Sequence, residues 1–401
     1  MPRRAVVLLA LAACTEPASP DLPEATSHVS RHEIPVSRPA QLDVLFVIDN
    51  SQAMAPHRDA LIANATSFAG VLTTGGVHDL HLGFVTTDVG TRGPSGEASV
   101  PHGDCTVDGD AGALRIRGPV TGNFVTDLSL DGARTTNYTG DLSQIIAASL
   151  DVGATGCSFV RPLETVRRAL DNPNNNGFLR PRAFLAIVFL TAQDDCSFAS
   201  STFLDTEPDT FSCIASAGAL VPPIDYAAYL KSLKRDASQI IVSGAFGPTE
   251  PFAVEGRTVK PSCTIDQRSA TPGTRLQAFL DQFPNRSVFT SICQPDLSEV
   301  LLDLSWHTSI GAPCLDPSPV DVDLDTPGIQ RDCAVTLVDD FLDHTEERVI
   351  SECSASLESC WQIESHPEWC PIGGGETINV KNAFVGTEAD FTLAVIECVT
   401  Q

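Results

Sequence analysis

Apolar positions along the chain fall into two rhythms. Leu42 to Asp49 is an almost unbroken apolar run, the pattern of a strand buried on both faces. Residues 56–72 then carry Leu61, Ile62, Ala65, Phe68, Ala69 and Leu72 at helical spacing. Leu80–Thr87, Phe184–Thr191, Gln239–Ala245 and Ser287–Ile292 read as further strands. Helices are expected at 141–150, 159–170, 226–234, 274–283 and 297–307. Strands alternating with helices in this way predict an α/β fold over residues 41–312, a mostly parallel sheet with helices on both faces. Two irregular insertions interrupt it, at 90–140 (with strand-like pieces at Leu114–Ile116 and Phe124–Leu128) and at 192–224. The rhythm stops near Ile310. Cys314–Thr326 is a Pro- and Asp-rich linker, followed by short strand-like runs at 334–338, 347–350, 361–364, 377–380 and 391–398. Turns such as Gly373-Gly374-Gly375 separate them, so residues 313–401 are expected to form a small disulfide-rich β domain.

The amino end follows a different pattern. Met1-Pro2-Arg3-Arg4 precedes a short apolar run, Ala5 to Ala13, which is the layout of a secretory signal peptide. Leu11-Ala12-Ala13-Cys14 resembles a bacterial lipobox. That resemblance implies a signal peptide over 1–13 and acyl chains on Cys14, several of which together make a stable anchor. Thr15, where an inner-membrane retention signal has Asp, favours the outer membrane or cell surface. An ordinary signal peptide with a chance Cys is the other reading. Residues 14–40, with Pro17, Pro20, Pro23, Pro35 and Pro39, read as an extended tether. No later window reaches the roughly 18 apolar residues of a membrane span, so lipid is the expected membrane contact.

Composition narrows the function classes. With 25 Lys+Arg against 51 Asp+Glu, the formal net charge is −26, the wrong sign for gripping a phosphate backbone. Nucleic acid is therefore not an expected partner. Thirteen cysteines among 401 residues point to an oxidising compartment. Zinc would want C-x-x-C pairs, and the sequence has none. Once Cys14 is assigned to lipid, six cysteines fall between 105 and 293 and six between 314 and 398. Each region can close three bridges, with the connectivity open.

Ligands of open parallel sheets bind beyond the carboxyl ends of the strands. There the chain reads Val47-Ile48-Asp49-Asn50-Ser51-Gln52-Ala53-Met54. This resembles the D-x-S-x-S motif of von Willebrand factor type A domains, and the strand–helix order over 41–310 is similar to that Rossmann-like fold. The resemblance implies a metal-ion-dependent adhesion site for Mg or Ca, completed by a Thr and an Asp from later loops. A hard cation wants about six oxygen ligands, and a vacant position can take a partner's carboxylate. Asp49 and Ser51 match the motif, while Ala53 replaces its last Ser. Cys157 falls on the Thr, with Thr155 or Ser158 as substitutes, and Ala192 falls on the Asp. Asp194 and Asp195 lie just beyond, so the candidate ligands are Asp49, Ser51, Asp194 and Asp195. The other reading is that Asp49 and Ser51 only cap the first helix. Cys157 and Cys196 sit on the two loops that lost their ligands, so a Cys157–Cys196 disulfide is expected to pin those loops where a metal would.

Catalytic patterns are missing. The sequence has no G-x-S-x-G elbow, no H-E-x-x-H, no P-loop and no G-x-G-x-x-G after the first strand. Ser51 with His57 is the nearest approach to a nucleophile and base, and no catalytic residue is expected. Asp321-Val322-Asp323-Leu324-Asp325 reads as a solvated linker or a weak calcium loop lacking Gly at its sixth position, Thr326. Trp361 and Trp369, beside Cys360 and Cys370, read as core packing or as a carbohydrate platform. The expected protein is a lipid-anchored, non-catalytic envelope protein that binds a protein or surface polymer. An acidic spacer or assembly subunit without a specific ligand is the alternative, and a secreted hydrolase the lesser one. The oligomeric state is left open.

Overall fold

The computed structural model describes residues 28–36, 40–74, 77–96, 99–130, 133–205, 210–234, 237–284, 286–301, 314–315, 317–327, 329–340, 344–354, 359–365, 367, 370, 373–381 and 391–400. The signal peptide, Cys14 and Trp369 lie outside the described residues, as does the expected helix 297–307 beyond residue 301.

The first strand, β1 (His28–Pro35), belongs to a second sheet discussed below. The large sheet is built from β2 (Ala40–Ile48), β3 (Val77–Thr86), β4 (Val125–Leu130), β5 (Ala133–Thr136), β6 (Phe184–Leu190), β7 (Ile240–Phe246) and, after two short ribbons, β12 (Ser287–Ser291). The ribbons are β8 (Val254–Glu255) with β9 (Thr258–Val259), and β10 (Cys263–Ile265) with β11 (Arg268–Ala270). The spatial order is β12-β7-β6-β2-β3-β4-β5. The five strands from β12 to β3 run parallel, and β4 and β5 extend the edge antiparallel.

Alternation along β2 explains why its apolar run has no polar face. Leu42, Val44, Phe46 and Ile48 point into one core, and Leu45 and Val47 into the other. The first core is closed by α1 (Arg58–Ala63), α2 (Ala65–Thr74) and α3 (Leu142–Leu150), with Phe46 stacked on Phe84 at 5.1 Å. The second is closed by α4 (Pro162–Asp171), α6 (Pro223–Ser232) and α7 (Thr274–Leu280), while α5 (Thr210–Ala215) lies in the 192–224 insertion. Helices therefore cover both faces, as the sequence pattern predicts.

Three local expectations differ. The helix expected over 56–72 is divided into a 3-10 turn at 52–57, α1 and α2. The break falls at Asn64, whose amide nitrogen turns back on the Ala60 carbonyl at 2.8 Å while its oxygen accepts from the Leu297 backbone at 2.9 Å. Leu114–Ile116 is not a strand. Leu114 is buried, but its segment makes only an isolated backbone bond to β3, from Arg115 N to the Phe84 carbonyl. Finally, residues 28–35, expected within the tether, form a strand.

That strand completes the second sheet, β1-β17-β13-β14, with β13 (Cys333–Asp340), β14 (Thr345–Ile350) and β17 (Phe391–Thr400), all antiparallel. A ribbon of β15 (Cys360–Ser365) and β16 (Glu376–Lys381) packs beside it. The core holds Ile34, Val36, Val335, Leu337, Trp361, Ile378 and Ile396. Arg182, just before β6, pairs with Asp340 at the end of β13, and β1 packs against the 237–239 turn that leads into β7. The second sheet thus adjoins the amino edge of the large one. The bridges divide as Cys105–Cys157, Cys196–Cys213 and Cys263–Cys293 in the α/β part, and Cys314–Cys370, Cys333–Cys398 and Cys353–Cys360 in the β part. Among the described residues no helix is long and apolar enough to cross a membrane.

Candidate functional site

The chain steps from β2 to β3 on one side of the sheet, then returns to β6 on the other. The topological switch point therefore lies at the carboxyl ends of β2 and β6, where a crevice is expected. Asp49–Ser51 follows β2, and residues 191–197 follow β6. The loop 156–161 closes over both through Gly156 N to the Asn50 carbonyl at 2.8 Å and Cys196 N to the Val160 carbonyl at 2.9 Å. A Cβ at Gly156 would lie 2.3 Å from the Asn50 side chain, so any other residue there would push that side chain aside.

Asp49 is fully buried, and both of its carboxylate oxygens accept hydrogen bonds. Its Oδ1 accepts from the Ser51 amide at 2.8 Å, and its Oδ2 from the Thr191 hydroxyl at 2.9 Å and the Ala192 amide at 3.3 Å. Burial pushes its carboxyl above the usual range, against the pull of these bonds. Ser51 Oγ is also occupied, since Gln193 donates its side-chain Nε2 to it at 3.0 Å and to the Ser158 carbonyl at 3.3 Å.

Asp194 and Asp195 turn away from this centre. Asp194 accepts from Thr274 Oγ1 and from the backbone of Arg275 and Leu276, all within 3.1 Å, and so caps α7. Burial again raises its carboxyl, opposed by those amides. Asp195 accepts from Leu163 N at 3.1 Å and Ser197 Oγ at 2.6 Å, and pairs with Arg275 at 3.0 Å. With Ser197 Oγ accepting from Glu164 N, it caps α4, whose first residue Pro162 has no amide proton to satisfy. The Asp-Asp-Cys-Ser stretch thus fixes the starts of two helices.

The structure brings Asp49 and Ser51 together and leaves Asp194 and Asp195 elsewhere. A divalent ion needs oxygens with free lone pairs. Ala53 and Ala192 have no side-chain oxygen, Cys157 is bonded to Cys105, and a nitrogen donor is aimed at Ser51 Oγ. These residues do not fit a hard cation. The expected Cys157–Cys196 bridge is also replaced. Cys157 reaches back to Cys105 in the insertion after β3, and Cys196 forward to Cys213 in α5. The two loops are joined instead by backbone, Cys196 N to the Val160 carbonyl at 2.9 Å.

Several residues of this region escaped the sequence reading. Arg161 is buried with its guanidinium 3.8 Å over the Phe198 ring, and donates to the Gly90 and Arg92 carbonyls. Burial lowers its pKa to about 10. Glu164, also buried, accepts from Arg167, Arg168 and Tyr226. A small cavity of about 90 Å³ lies alongside, between Phe159, Gln193, Asp195, Ile214 and the Cys196–Cys213 bridge. Arg-Pro at 161–162, opening a helix with four further charges, was the signal available in sequence.

Ser51 and His57 do not form a nucleophile–base pair. His57 Nε2 lies 3.0 Å from the Ser269 carbonyl, and Ser51 Oγ is held by Gln193. In the acidic segment, Asp321 accepts from the amides of Asp323 and Gln330, and Asp323 from the Asp325 amide and the Thr326 hydroxyl. Those carboxylates shape a turn. Trp361 is buried, with its indole NH on the Ile350 carbonyl, which is core packing rather than an open platform.

No family model matches the chain, and no curated protein matches it. Solved structures give distant likenesses. Proximal thread matrix protein 1 from the mussel byssus is 12% identical, with a TM-score of 0.33 over 66% of this chain and 48% of that one. A von Willebrand factor type A protein from Catenulispora acidiphila is 12% identical, with a TM-score of 0.31 over 93% and 61%. The manganese-loaded TRAP protein of Plasmodium vivax is 10% identical, with a TM-score of 0.33 over 93% and 97%. The chain spans less than two thirds of the length of the first two structures. Likeness at this level leaves the site to be read from its own residues.

Proposed function

We propose that the chain is a non-catalytic envelope protein of the von Willebrand factor type A kind, which binds a protein or surface polymer through the loops at the carboxyl edge of its large sheet. One observation carries this reading. All three disulfides of the α/β part lie in those loops. They tie the segment after β3 to the loop before α4, close the insertion after β6, and join the ribbons after β7 to the segment after β12. Loops fixed in advance lose little entropy when a partner docks, which is how a rigid face gains affinity. The large apolar side chains exposed on these loops and at the start of α6 fit the same role, with Val100 72% exposed, Ile224 57% and Phe252 41%. Acyl chains on Cys14 would hold the chain through β1, beside the amino edge of the large sheet, so the loop face would point away from the membrane.

Pull-down of the full chain from envelope extracts tests the reading. Capture is expected to fall with Val100→Glu and Phe252→Glu and to survive Val349→Glu, a change on the exposed face of β14. Equal capture by all three variants would place the binding surface elsewhere. Cys14→Ser is expected to release the protein from the membrane fraction, and retention there would remove the lipid anchor.

A further inference from the structure

The centre between β2 and β6 gathers two carboxyl-terminal strand ends and a third loop, the one that carries Gly156 and Ser158. We propose that the side-chain amide of Gln193 is a built-in replacement for the cation, so that the loop face is assembled by hydrogen bonds and is indifferent to divalent ions. This goes beyond the binding reading and does not depend on it, because the loops would be locked with or without a partner.

The geometry argues for it in three steps. A cation at this place would draw together oxygens from the three loops. Gln193 Nε2 does that with its two protons, one toward Ser51 Oγ at 3.0 Å and one toward the Ser158 carbonyl at 3.3 Å. Primary amides carry two such donors in a fixed plane, so the nitrogen bridges two acceptors as an ion would, though it carries no charge. The remaining charge in the centre, on Asp49, is met by neutral donors: Ser51 N, Thr191 Oγ1 and Ala192 N. Gln193 is itself held in register, since its backbone amide donates to Thr191 Oγ1 at 3.1 Å. Thr191 therefore touches both the acid and the loop that carries the amide. The side chain is mostly buried, and burial makes each of these bonds costly to lose.

Thermal unfolding of the full chain tests the proposal, with Mg²⁺, Mn²⁺ and Ca²⁺ each titrated against chelator. The wild-type midpoint is expected to stay unchanged by every ion. Gln193→Met keeps the length of the side chain and removes both donors, so the midpoint is expected to fall by about 2–4 °C. Gln193→Glu is expected to fall further, because it sets new acceptors against Ser51 Oγ and the Ser158 carbonyl. A saturable rise of the wild-type midpoint with any of the ions, abolished by Asp49→Ala, would overturn the proposal. So would a Gln193→Met or Gln193→Glu protein as stable as wild type. The ion titration of the wild type stands even if a variant fails to fold.

Discussion

Cys105 is bonded to Cys157, which ties the insertion after β3 directly onto the loop ahead of α4. The bridge closes 52 residues of sequence, all of them free to wander in the unfolded chain. Replacing both cysteines by Ala is expected to cost about 2–4 kcal/mol. Urea unfolding would show this as a lower midpoint. Peptide mapping without reductant is expected to find Cys105 with Cys157 and Cys196 with Cys213, and a Cys157–Cys196 peptide would contradict the arrangement.

Glu164 is the only carboxylate hydrogen-bonded by Arg167, Arg168 and Tyr226 among the described residues. Burial works against its charge, but Arg161 and the bonds from Arg167 and Arg168 outweigh that and hold its carboxyl below the usual range. Glu164→Gln breaks the ion pairs with Arg167 and Arg168 and takes from the buried Arg161 guanidinium the carboxylate that most favours its charge. We expect a loss of about 3–5 kcal/mol, as for one broken partner of a buried pair. Tyr226→Phe removes a single hydrogen bond and is expected to cost about 1–2 kcal/mol. Denaturant titration of the two variants separates these values, and equal losses would mean that Arg161 does not rely on Glu164.

The legible part of the fold was the part with strong local periodicity. Leu42–Ile48 and Phe184–Leu190 are apolar at every or nearly every position because both faces are covered, and such runs announce themselves. β1 did not, because His28–Pro35 carries four consecutive polar residues, Ser30 to Glu33, beside prolines, and its partner β17 lies more than 350 residues away. The same distance hides the centre of the site. Asp49 is visible from its motif, but Gln193 meets Ser51 only because the strands after which they follow are neighbours in space. Asp194 and Asp195 were legible as acids and not as helix caps, since the amides they hold belong to α4 and α7, 32 and 81 or more residues off. Cysteine pairing is unreadable for the same reason, although the division into two sets of six shows in the spacing.

His81 on β3 should make the fold acid-sensitive. Its Nδ1 lies 2.8 Å from the Phe178 carbonyl, and its side chain is buried. Burial, aided by the neighbouring Arg180, lowers its pKa to about 4. The Asp43 carboxylate 3.6 Å away would favour the charged ring, but Arg180 already claims it at 2.7 Å. An unfolded His titrates near 6.5. Between the two values the unfolded chain binds a proton that the native chain refuses, so stability falls as pH drops from 6.5 toward 4. Full protonation costs about 3 kcal/mol. His81→Gln keeps a donor for the Phe178 carbonyl and is expected to flatten that part of the stability–pH curve. A variant whose unfolding midpoint falls with acid as steeply as wild type would move the sensitivity to another group.

Ile34 gives the last test, because β1 is a small strand with a large role in the second sheet. It pairs with β17 over its whole length, from His28 opposite Thr400 to Pro35 opposite Leu393. Without it, β17 would become an edge strand, with a row of backbone donors and acceptors exposed. Ile34 and Val36 are buried in the same core as Val335, Leu337 and Trp361. Ile34→Ala removes three carbons from that core and is expected to cost about 2–4 kcal/mol. Trp361 sits within the core, so its fluorescence reports on this sheet during denaturation. A chain beginning at residue 28 is expected to show the wild-type transition, and one beginning at residue 37 to lose it. Were the shorter chain to unfold as wild type does, residues 28–35 would be a tether after all, and any pull from an amino-terminal anchor would pass straight to β2 instead of entering through the second sheet.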